Sequence, residues 1–368
     1  MNAPLYEQLF QYVIDEMRTG NLKVGDRVPS EKELAERFNV SRITSKKALE
    51  MLQQAGFIER LRGKGSFVAS VPADQGRDDN TAAEPMKLAR VLIGVIVPDF
   101  SDAYALKMVQ AIEEACAEAN LFIVIKRTYG SQSIEKDAIQ TLVALGIAGL
   151  IVFPVHGEYY NPELLRLVLT GFPVVLVDRR LKGISASSVY TDNARASQQL
   201  TRYLLDKGHS HIGFISPPAE NTTTIEERIE GYQNALHERN LNGEFEHIFS
   251  ELYSTLPTAF DSEHIDEDTK TLRRYVQANP QISAYIACEF NLALLLRRVL
   301  TSLDLQNEVV CFDSPDSPVY PPVFTHIKQN EAMMGRQAVQ ILLEHMNGLT
   351  TPQMVTVDFA FVEAKGEA

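Results

Sequence analysis

Cysteine is scarce in this 368-residue chain, with only Cys116, Cys288 and Cys311 present. An odd number without short spacing excludes a disulfide framework and a paired-cysteine zinc site, and it suits a reducing compartment. No apolar run approaches the roughly 20 residues that a membrane helix needs. The N-terminus also lacks the basic-then-apolar order of a secretion signal, so the expectation is a cytoplasmic protein with no membrane partner. Positive charge is in deficit, 35 Lys+Arg against 48 Asp+Glu. Neither a glycine-rich phosphate loop nor Ser/His/Asp spacing of the expected kind is found. His156, His209 and His211 stand apart from Cys and Glu at metal-binding spacing. The expectation is therefore no enzyme, no cofactor and no metal ligands. No short-period repeat is present.

Hydrophobic residues make up 45% of the chain, enough for a sizeable core, and the length exceeds one small domain. Charge is unevenly spread. The first 71 residues hold 11 Lys+Arg and 9 Asp+Glu, which leaves 24 against 39, a net of −15, on the remainder. That remainder repels nucleic acid, so any contact with it belongs to the N-terminus.

The N-terminal pattern is specific. Leu5, Leu9, Val13 and Met17 repeat at helical spacing. Ser30 and Glu33 form a capping box after Pro29, Leu34, Ala35 and Phe38 make an apolar stripe, and Asn39 can take the left-handed conformation that ends the helix. Ser41 can cap a second helix running to about Ala55, stopped by Gly56, with Ala48, Leu49, Leu52 and Ala55 facing a core. Phe57, Ile58, Phe67 and Val68 read as strands of a hairpin whose tip is Gly63 to Gly65. Two short helices around a tight turn, with a hairpin behind them, make a winged helix-turn-helix. On this reading Arg42, Ser45 and Lys46 face DNA from the start of the recognition helix, and Arg62 and Lys64 reach phosphates or the minor groove.

Residues 4–70 resemble the winged helix-turn-helix of the GntR family of bacterial transcription regulators. The likeness rests on Pro29-Ser30-Glu31 with Leu34-Ala35, on Val40-Ser41-Arg42 with Thr44, on Ala48-Leu49, and on Gly63 to Val68. It implies DNA contact by Lys32, Ser41, Arg42, Thr44, Lys46, Arg62 and Gly63. Lys32 and Lys46 stand where that family often has Arg. Lysine lacks the planar fork, which favours phosphate over base contact at both positions.

Residues 71–88, small and polar, read as a linker between a DNA-binding domain at 1–70 and a body at 89–368. In the body, apolar runs alternate with amphipathic helices. Strands are predicted at Val91–Val97, Leu121–Ile125, Leu150–Phe153, Val174–Val177, His211–Ile215, Ala284–Cys288, Val309–Phe312 and Val355–Phe361. Helices are predicted near Ala103–Ala119, Ile134–Ala144, Glu163–Leu169, Ala194–Asp206, Ile225–His237, Asn291–Leu303 and Glu331–Met346. Such alternation gives parallel sheets covered on both faces, here as two lobes around a cleft. Ligands bind outside the carboxyl ends of such strands. That rule selects the loops Pro98–Tyr104, Pro154–Tyr160, Asp178–Arg180, Ser216 onward, Glu289–Asn291 and Asp313–Asp316. Tyr104, Asn291 and Asp313 are candidates on this ground.

The body also resembles the effector domain of LacI-type regulators, related to periplasmic sugar-binding proteins. The likeness runs from about Ala89 to Val362. It rests on Ile93 to Pro98, Pro173 to Arg179, Thr191-Asp192-Asn193, Gly208 to Ile215 and Arg228 to Tyr232. It implies ligand contact by Asp102, Asp178, Arg179 and Arg228, with Arg228 clamping hydroxyls from the second lobe. Cys288-Glu289-Phe290 replaces the usual Ala-Asn-Asp, and Glu289 substitutes as an acceptor. The acidic stretch Phe245–Asp268 is longer than usual.

Together these likenesses imply an α/β two-lobed, periplasmic-binding-protein-like effector domain behind a winged helix-turn-helix. The expected function is a homodimeric repressor of operator DNA released by a small sugar. A GntR-type head on a LacI-type body is the arrangement of arabinose repressors, so L-arabinose leads. The alternatives are a phosphorylated sugar or purine, for which Arg127 and Arg180 are the residues to examine, and a regulator fused to an enzyme-like domain.

Overall fold

The computed structural model describes residues 5–61, 65–69, 91–156, 161–181, 184–241, 243, 246–317, 319–349 and 351–364. The linker expected at 71–88 lies outside them. Two compact units divide the chain.

The N-terminal unit begins with α1 (Leu5–Arg18), α2 (Glu31–Phe38) and α3 (Arg42–Gln54), followed by a hairpin of β1 (Ile58–Leu61) and β2 (Gly65–Val68). Local chemistry explains each boundary. Ser30 Oγ accepts from the Glu33 amide at 3.3 Å, and Glu33 Oε2 accepts from the Ser30 amide at 2.6 Å. Two amides that the helix itself cannot satisfy are thus paired. Asn39 ends α2 at φ 51° and ψ 48°, and Ser41 starts α3 by accepting from the Thr44 amide. Leu9, Phe10, Val13 and Ile14 of α1 bury against Leu34, Ala48, Leu49, Leu52, Phe57 and Val68. The antiparallel hairpin pairs Ile58 with Val68 and Leu61 with Gly65.

The body alternates strand and helix along the chain. In order come β3 (Val91–Val97), α4 (Leu106–Glu118), β4 (Leu121–Arg127), α5 (Gln132–Ala144), β5 (Gly149–Val152), α6 (Pro162–Leu169), β6 (Val174–Val177) and β7 (Ser187–Thr191). There follow α7 (Asn193–Asp206), β8 (Ile212–Ile215), α8 (Thr223–Glu238), β9 (Glu246–Phe249), α9 (Ser262–Ala278), β10 (Ala284–Ala287) and α10 (Phe290–Ser302). Last are β11 (Glu308–Phe312), β12 (Thr325–Lys328), α11 (Glu331–Met346), β13 (Met354–Val357) and β14 (Ala360–Val362). The first sheet has the order β13-β7-β6-β5-β3-β4, and the second β14-β12-β11-β10-β8-β9. Every pairing is parallel except β12 with β14.

The chain crosses between the lobes three times: from β7 to α7, from β12 to α11, and from β13 to β14. Late residues Met334, Ala338 and Leu342 of α11 therefore share a core with Ile93, Met108 and Val175 of the first lobe. The last crossing corrects one expectation. Val355–Phe361 is two strands in different sheets, with Val355 beside Val189 and Phe361 beside Ile327. Its residues alternate without a break, so the pattern does not reveal the change of sheet.

Three strands and one helix lie outside the predicted elements. β7, β9 and β12 carry Ser187, Ser188, His247, Thr325 and His326, polar residues in strand positions that hide the apolar run. α9 begins inside the acidic stretch 245–268, where Asp268 is buried and accepts from the Tyr253 and Ser254 amides.

Close helix contact sets a sharp requirement at Gly231 of α8. A Cβ there would lie 2.0 Å from the Ala194 carbonyl oxygen of α7. Gly231→Ala is expected to push α7 from α8 and destabilise the body by about 1–3 kcal/mol, measured by urea unfolding of the full chain. An unchanged midpoint would contradict this packing.

Candidate functional site

In the head, the tight Asn39 turn brings the start of α3 next to the hairpin. Arg27, Lys32, Arg42 and Arg60 line an open groove of about 580 Å³, with Glu31 and Ser66 in the same wall. Arg42, the first residue of α3, is exposed, and so are Lys32 and Lys46. The two lysines lie 3.8 Å from Glu36 and 3.7 Å from Glu50 respectively. Such exposed i,i+4 pairs are weak and can exchange for phosphate contacts. Ser41 is exposed, while its hydroxyl caps the helix and lies 2.8 Å from Thr44 Oγ1.

Ser45 is a correction. It is wholly buried, and its hydroxyl donates to the carbonyl of Glu31 at 2.7 Å and approaches that of Arg42 at 3.1 Å. It joins α3 to α2 and does not face outward. The candidates Arg62, Gly63 and Lys64 lie outside the described residues. Arg27 and Arg60, which the sequence reading passed over, are set by the hairpin: Arg27 bridges to Phe67, and Arg60 Nη2 lies 3.4 Å from Glu31. Their only sequence signal was adjacency to the Val28-Pro29-Ser30 and wing motifs.

In the body, a cavity of about 250 Å³ opens at the carboxyl ends of strands from both lobes. Two aspartates occupy matching positions in its wall. Asp178 follows β6 and Asp313 follows β11, both are buried, and both have positive φ, 67° and 59°. Their amides bond to Val189 and Ile327, on the neighbouring strands β7 and β12. The left-handed turn is tolerated by Asp better than by most residues and redirects the chain at the strand end.

Each aspartate is held by partners. Tyr104 donates from its hydroxyl to Asp178 Oδ1. Arg179 Nη1 donates to the Pro154 carbonyl at 2.9 Å, with its guanidinium 5.1 Å from the Phe153 ring centre. Gln329 donates to Asp313 Oδ2 at 2.7 Å. From α8, Arg228 Nε donates to Asn193 Oδ1 at 2.7 Å and Nη1 to the Cys288 carbonyl at 2.5 Å, while the guanidinium lies 3.8 Å from the Phe312 ring centre. Stacking and hydrogen bonds fix the plane of the fork. Glu289 and Asn291 line the same cavity, together with Phe100, Phe290 and Phe260.

Asp102 is a second correction. Mutual backbone bonds between Ser101 and Tyr104, at 2.9 and 3.2 Å, close a tight loop. Asp102 is exposed on that loop, and Asp99 is in the wall instead. Asp99 pairs with Arg127 at 2.7 Å. Arg180 is held by Glu227 and lies 4.5 Å from the Tyr190 ring centre. Both arginines that a phosphate would need are therefore paired already. His156 lies within the expected loop Pro154–Tyr160, whereas Asn193, although inside a quoted motif, and Gln329 are not anticipated from the sequence.

Burial governs the electrostatics. It pushes Glu289 up to about 7, with nearby Asp313 adding to the rise. It lifts Asp313 to about 6 against the pull of Arg228, and Glu331 to about 7. His156 falls to about 4 through burial and the Arg179 charge, so it is neutral at pH 7. Glu289 Oε1 is sealed from solvent and has no hydrogen-bond partner among the described residues. Paired carboxylates and forked guanidinium groups beside aromatic rings can bind adjacent hydroxyls and the apolar face of a small ring.

A raised carboxyl pKa stabilises the fold fully below its unfolded value, near 4.5 for Glu289, and the contribution is lost as pH rises through about 7. His156 acts in the opposite sense, so the informative quantity is a difference. Thermal unfolding of wild type and Glu289→Gln is expected to diverge between pH 5 and 7.5, with the wild type losing more stability as pH rises. Parallel pH profiles would show that Glu289 titrates normally.

The comparisons bear on both parts of the chain. The pattern described as "Bacterial regulatory proteins, gntR family" matches residues 5–68. The pattern "Periplasmic binding proteins and sugar binding domain of LacI family" matches residues 90–362. The chain belongs to the LacI-type periplasmic-binding-protein family and carries a GntR-type head. It is a transcription regulator, with a DNA-binding domain and a sugar-binding-like effector domain, and not an enzyme.

Among relatives of this LacI-type regulator is the "Probable HTH-type transcriptional regulator EndR" of Paenibacillus polymyxa. It is 26% identical, over 87% of this chain and 91% of the relative. The "Arabinose metabolism transcriptional repressor" of Geobacillus stearothermophilus is 25% identical, over 93% and 91%. The crystal structure of transcription regulator CcpA of Lactococcus lactis matches with a TM-score of 0.64 at 20% identity, covering 75% of this chain and 98% of that one. That likeness concerns the fold. No helix among the described residues is long and apolar enough to cross a membrane.

Proposed function

We propose that this LacI-type regulator is a homodimeric repressor that a small neutral sugar, with L-arabinose the leading candidate, releases from operator DNA. The observation that carries the reading is the cavity wall: Asp178 and Asp313 at matched strand ends, with Arg179 and Arg228 beside aromatic rings. The likeness to the arabinose metabolism repressor of Geobacillus stearothermophilus supports arabinose among sugars. Charge argues against the phosphorylated alternative. Among the described residues, Asp99, Asp178, Glu289 and Asp313 line the cavity with only Arg179 and Arg228 as lining cations. Arg127 and Arg180 are already held by Asp99 and Glu227.

In the head, Arg42 reads bases, while Lys32, Lys46, Arg62 and Lys64 meet phosphates, with Ser41, Thr44 and Gly63 beside them. In the cleft, Asp178, Asp313, Glu289 and Asn291 accept or share hydroxyl hydrogen bonds, and Arg179 and Arg228 donate. Closure around the sugar acts through the three crossings and changes the spacing of the two heads. A ligand that binds the closed state ~100-fold better shifts the equilibrium by about 2.7 kcal/mol.

Thermal unfolding of the purified full chain against pentoses, hexoses, sugar phosphates and purines tests the ligand class. A ligand at ~100 times its dissociation constant adds about 2.7 kcal/mol, a rise of a few degrees. A pentose response supports the proposal. A response confined to phosphorylated compounds or purines overturns it.

A further inference from the structure

We propose that Ile43 reads thymine, placing its side chain against the C5-methyl group of a thymine in the major groove. The inference rests on α3 being the recognition helix, and it adds to that reading a residue that selects sequence without a hydrogen bond.

Ile43 is the second residue of α3 and is 80% exposed, more than any other large hydrophobic side chain among the described residues. Single exposed hydrophobic residues are common, so exposure alone decides nothing. Its position does. Ser45, Ala48, Leu49 and Leu52 turn the other face of α3 into the core. Ile43 shares its own face with Lys46 and Lys47, three and four residues on, and follows the exposed Arg42.

An apolar side chain thus stands among the exposed cations Arg42, Lys46 and Lys47, next to a groove lined by Arg27, Lys32 and Arg60 together with Glu31. Such cations attract a polyanion, and phosphate contacts fix the register of the helix on the duplex. In the major groove the bases present donors and acceptors, and the thymine C5-methyl is the one apolar substituent among them. An isoleucine there is compatible with thymine. Against cytosine it would cover the N4 donor, and against guanine the O6 and N7 acceptors, without satisfying them. Arg42, one residue away, can engage a neighbouring base pair, so Ile43 supplies a second, chemically different reading.

The test replaces thymine by deoxyuridine, which removes only the methyl group. A duplex is first selected from random DNA with the full-length protein. Dissociation constants are then measured for duplexes carrying uracil at each thymine in turn, symmetrically in both half-sites. Loss of one buried methyl contact corresponds to roughly four-fold per half-site, about 15-fold for two. The proposal expects one symmetric pair of positions where uracil weakens the wild type by that amount. It expects Ile43→Ala to bind the thymine duplex about as weakly and to be indifferent to uracil at that pair. Ile43 is exposed, so the variant should fold normally, and its unfolding curve checks this. Equal sensitivity of Ile43→Ala and wild type, or no sensitive position in the wild type, overturns the proposal. Undiminished binding by Arg42→Ala would instead overturn the recognition-helix assignment beneath it.

Discussion

Arg42→Ala is expected to lower operator affinity by roughly 30-fold to more than 10,000-fold while leaving ligand binding unchanged. A bidentate arginine–guanine contact is worth about 1–3 kcal/mol, and the proposed dimer on two half-sites would lose it twice. The side chain is exposed at the first position of α3, where no described packing depends on it, so the variant should fold like the wild type. Specificity should relax together with affinity, because a lost base contact removes the penalty for the wrong base. Loss of a phosphate contact behaves differently. Lys46→Ala should weaken binding to all sequences evenly and lower the salt dependence by about one counterion per site. Quantitative binding to matched and mismatched duplexes at several salt concentrations separates the two. Operator affinity retained by Arg42→Ala would remove the recognition-helix assignment.

Arg228→Ala should have the opposite phenotype, with operator binding kept and the ligand response lost. Charged hydrogen bonds of this kind are worth about 1.5–3 kcal/mol each, so ligand affinity should fall at least ~10-fold. The substitution also leaves Asn193 Oδ1 and the Cys288 carbonyl without their donor and destabilises the body. Arg228→Lys is the informative companion. It keeps the charge in the wall but lacks the planar fork that spans two acceptors, so it should restore folding more than it restores ligand affinity. If either variant still releases DNA at wild-type ligand concentrations, the cleft between the lobes is not the effector site.

Much of this organisation was legible because the local rules agreed with the global fold. The capping box at Ser30 and Glu33, the left-handed Asn39 and the cap at Ser41 all stand where the sequence places them. Glu331–Met346 and Val174–Val177 match their expected limits, since each is bounded by a cap or a sharp turn and strongly patterned within.

The departures have physical causes. Ser45 lies three, four and seven residues before Ala48, Leu49 and Leu52, so helical spacing already put it on the buried stripe, and its polarity concealed that. Asp102 and Asp99 sit in one loop, and only the backbone closure between Ser101 and Tyr104 decides which is exposed. The matched Asp178 and Asp313 turns need the sheet topology before their equivalence is visible. The split of Val355–Phe361 between two sheets follows from tertiary crossing and leaves no mark in the alternation.

The central claim is that a sugar in the cleft controls a DNA contact made by the head. Its most direct test is a titration of the full-length protein, pre-bound to a selected fluorescent operator duplex, with L-arabinose and with a panel of other pentoses and hexoses. Wild type is expected to leave the DNA at a defined concentration of one sugar, while Arg228→Lys stays bound at that concentration. Occupancy unchanged by every neutral sugar, or release by sugar that Arg228→Lys shares fully, would contradict the account.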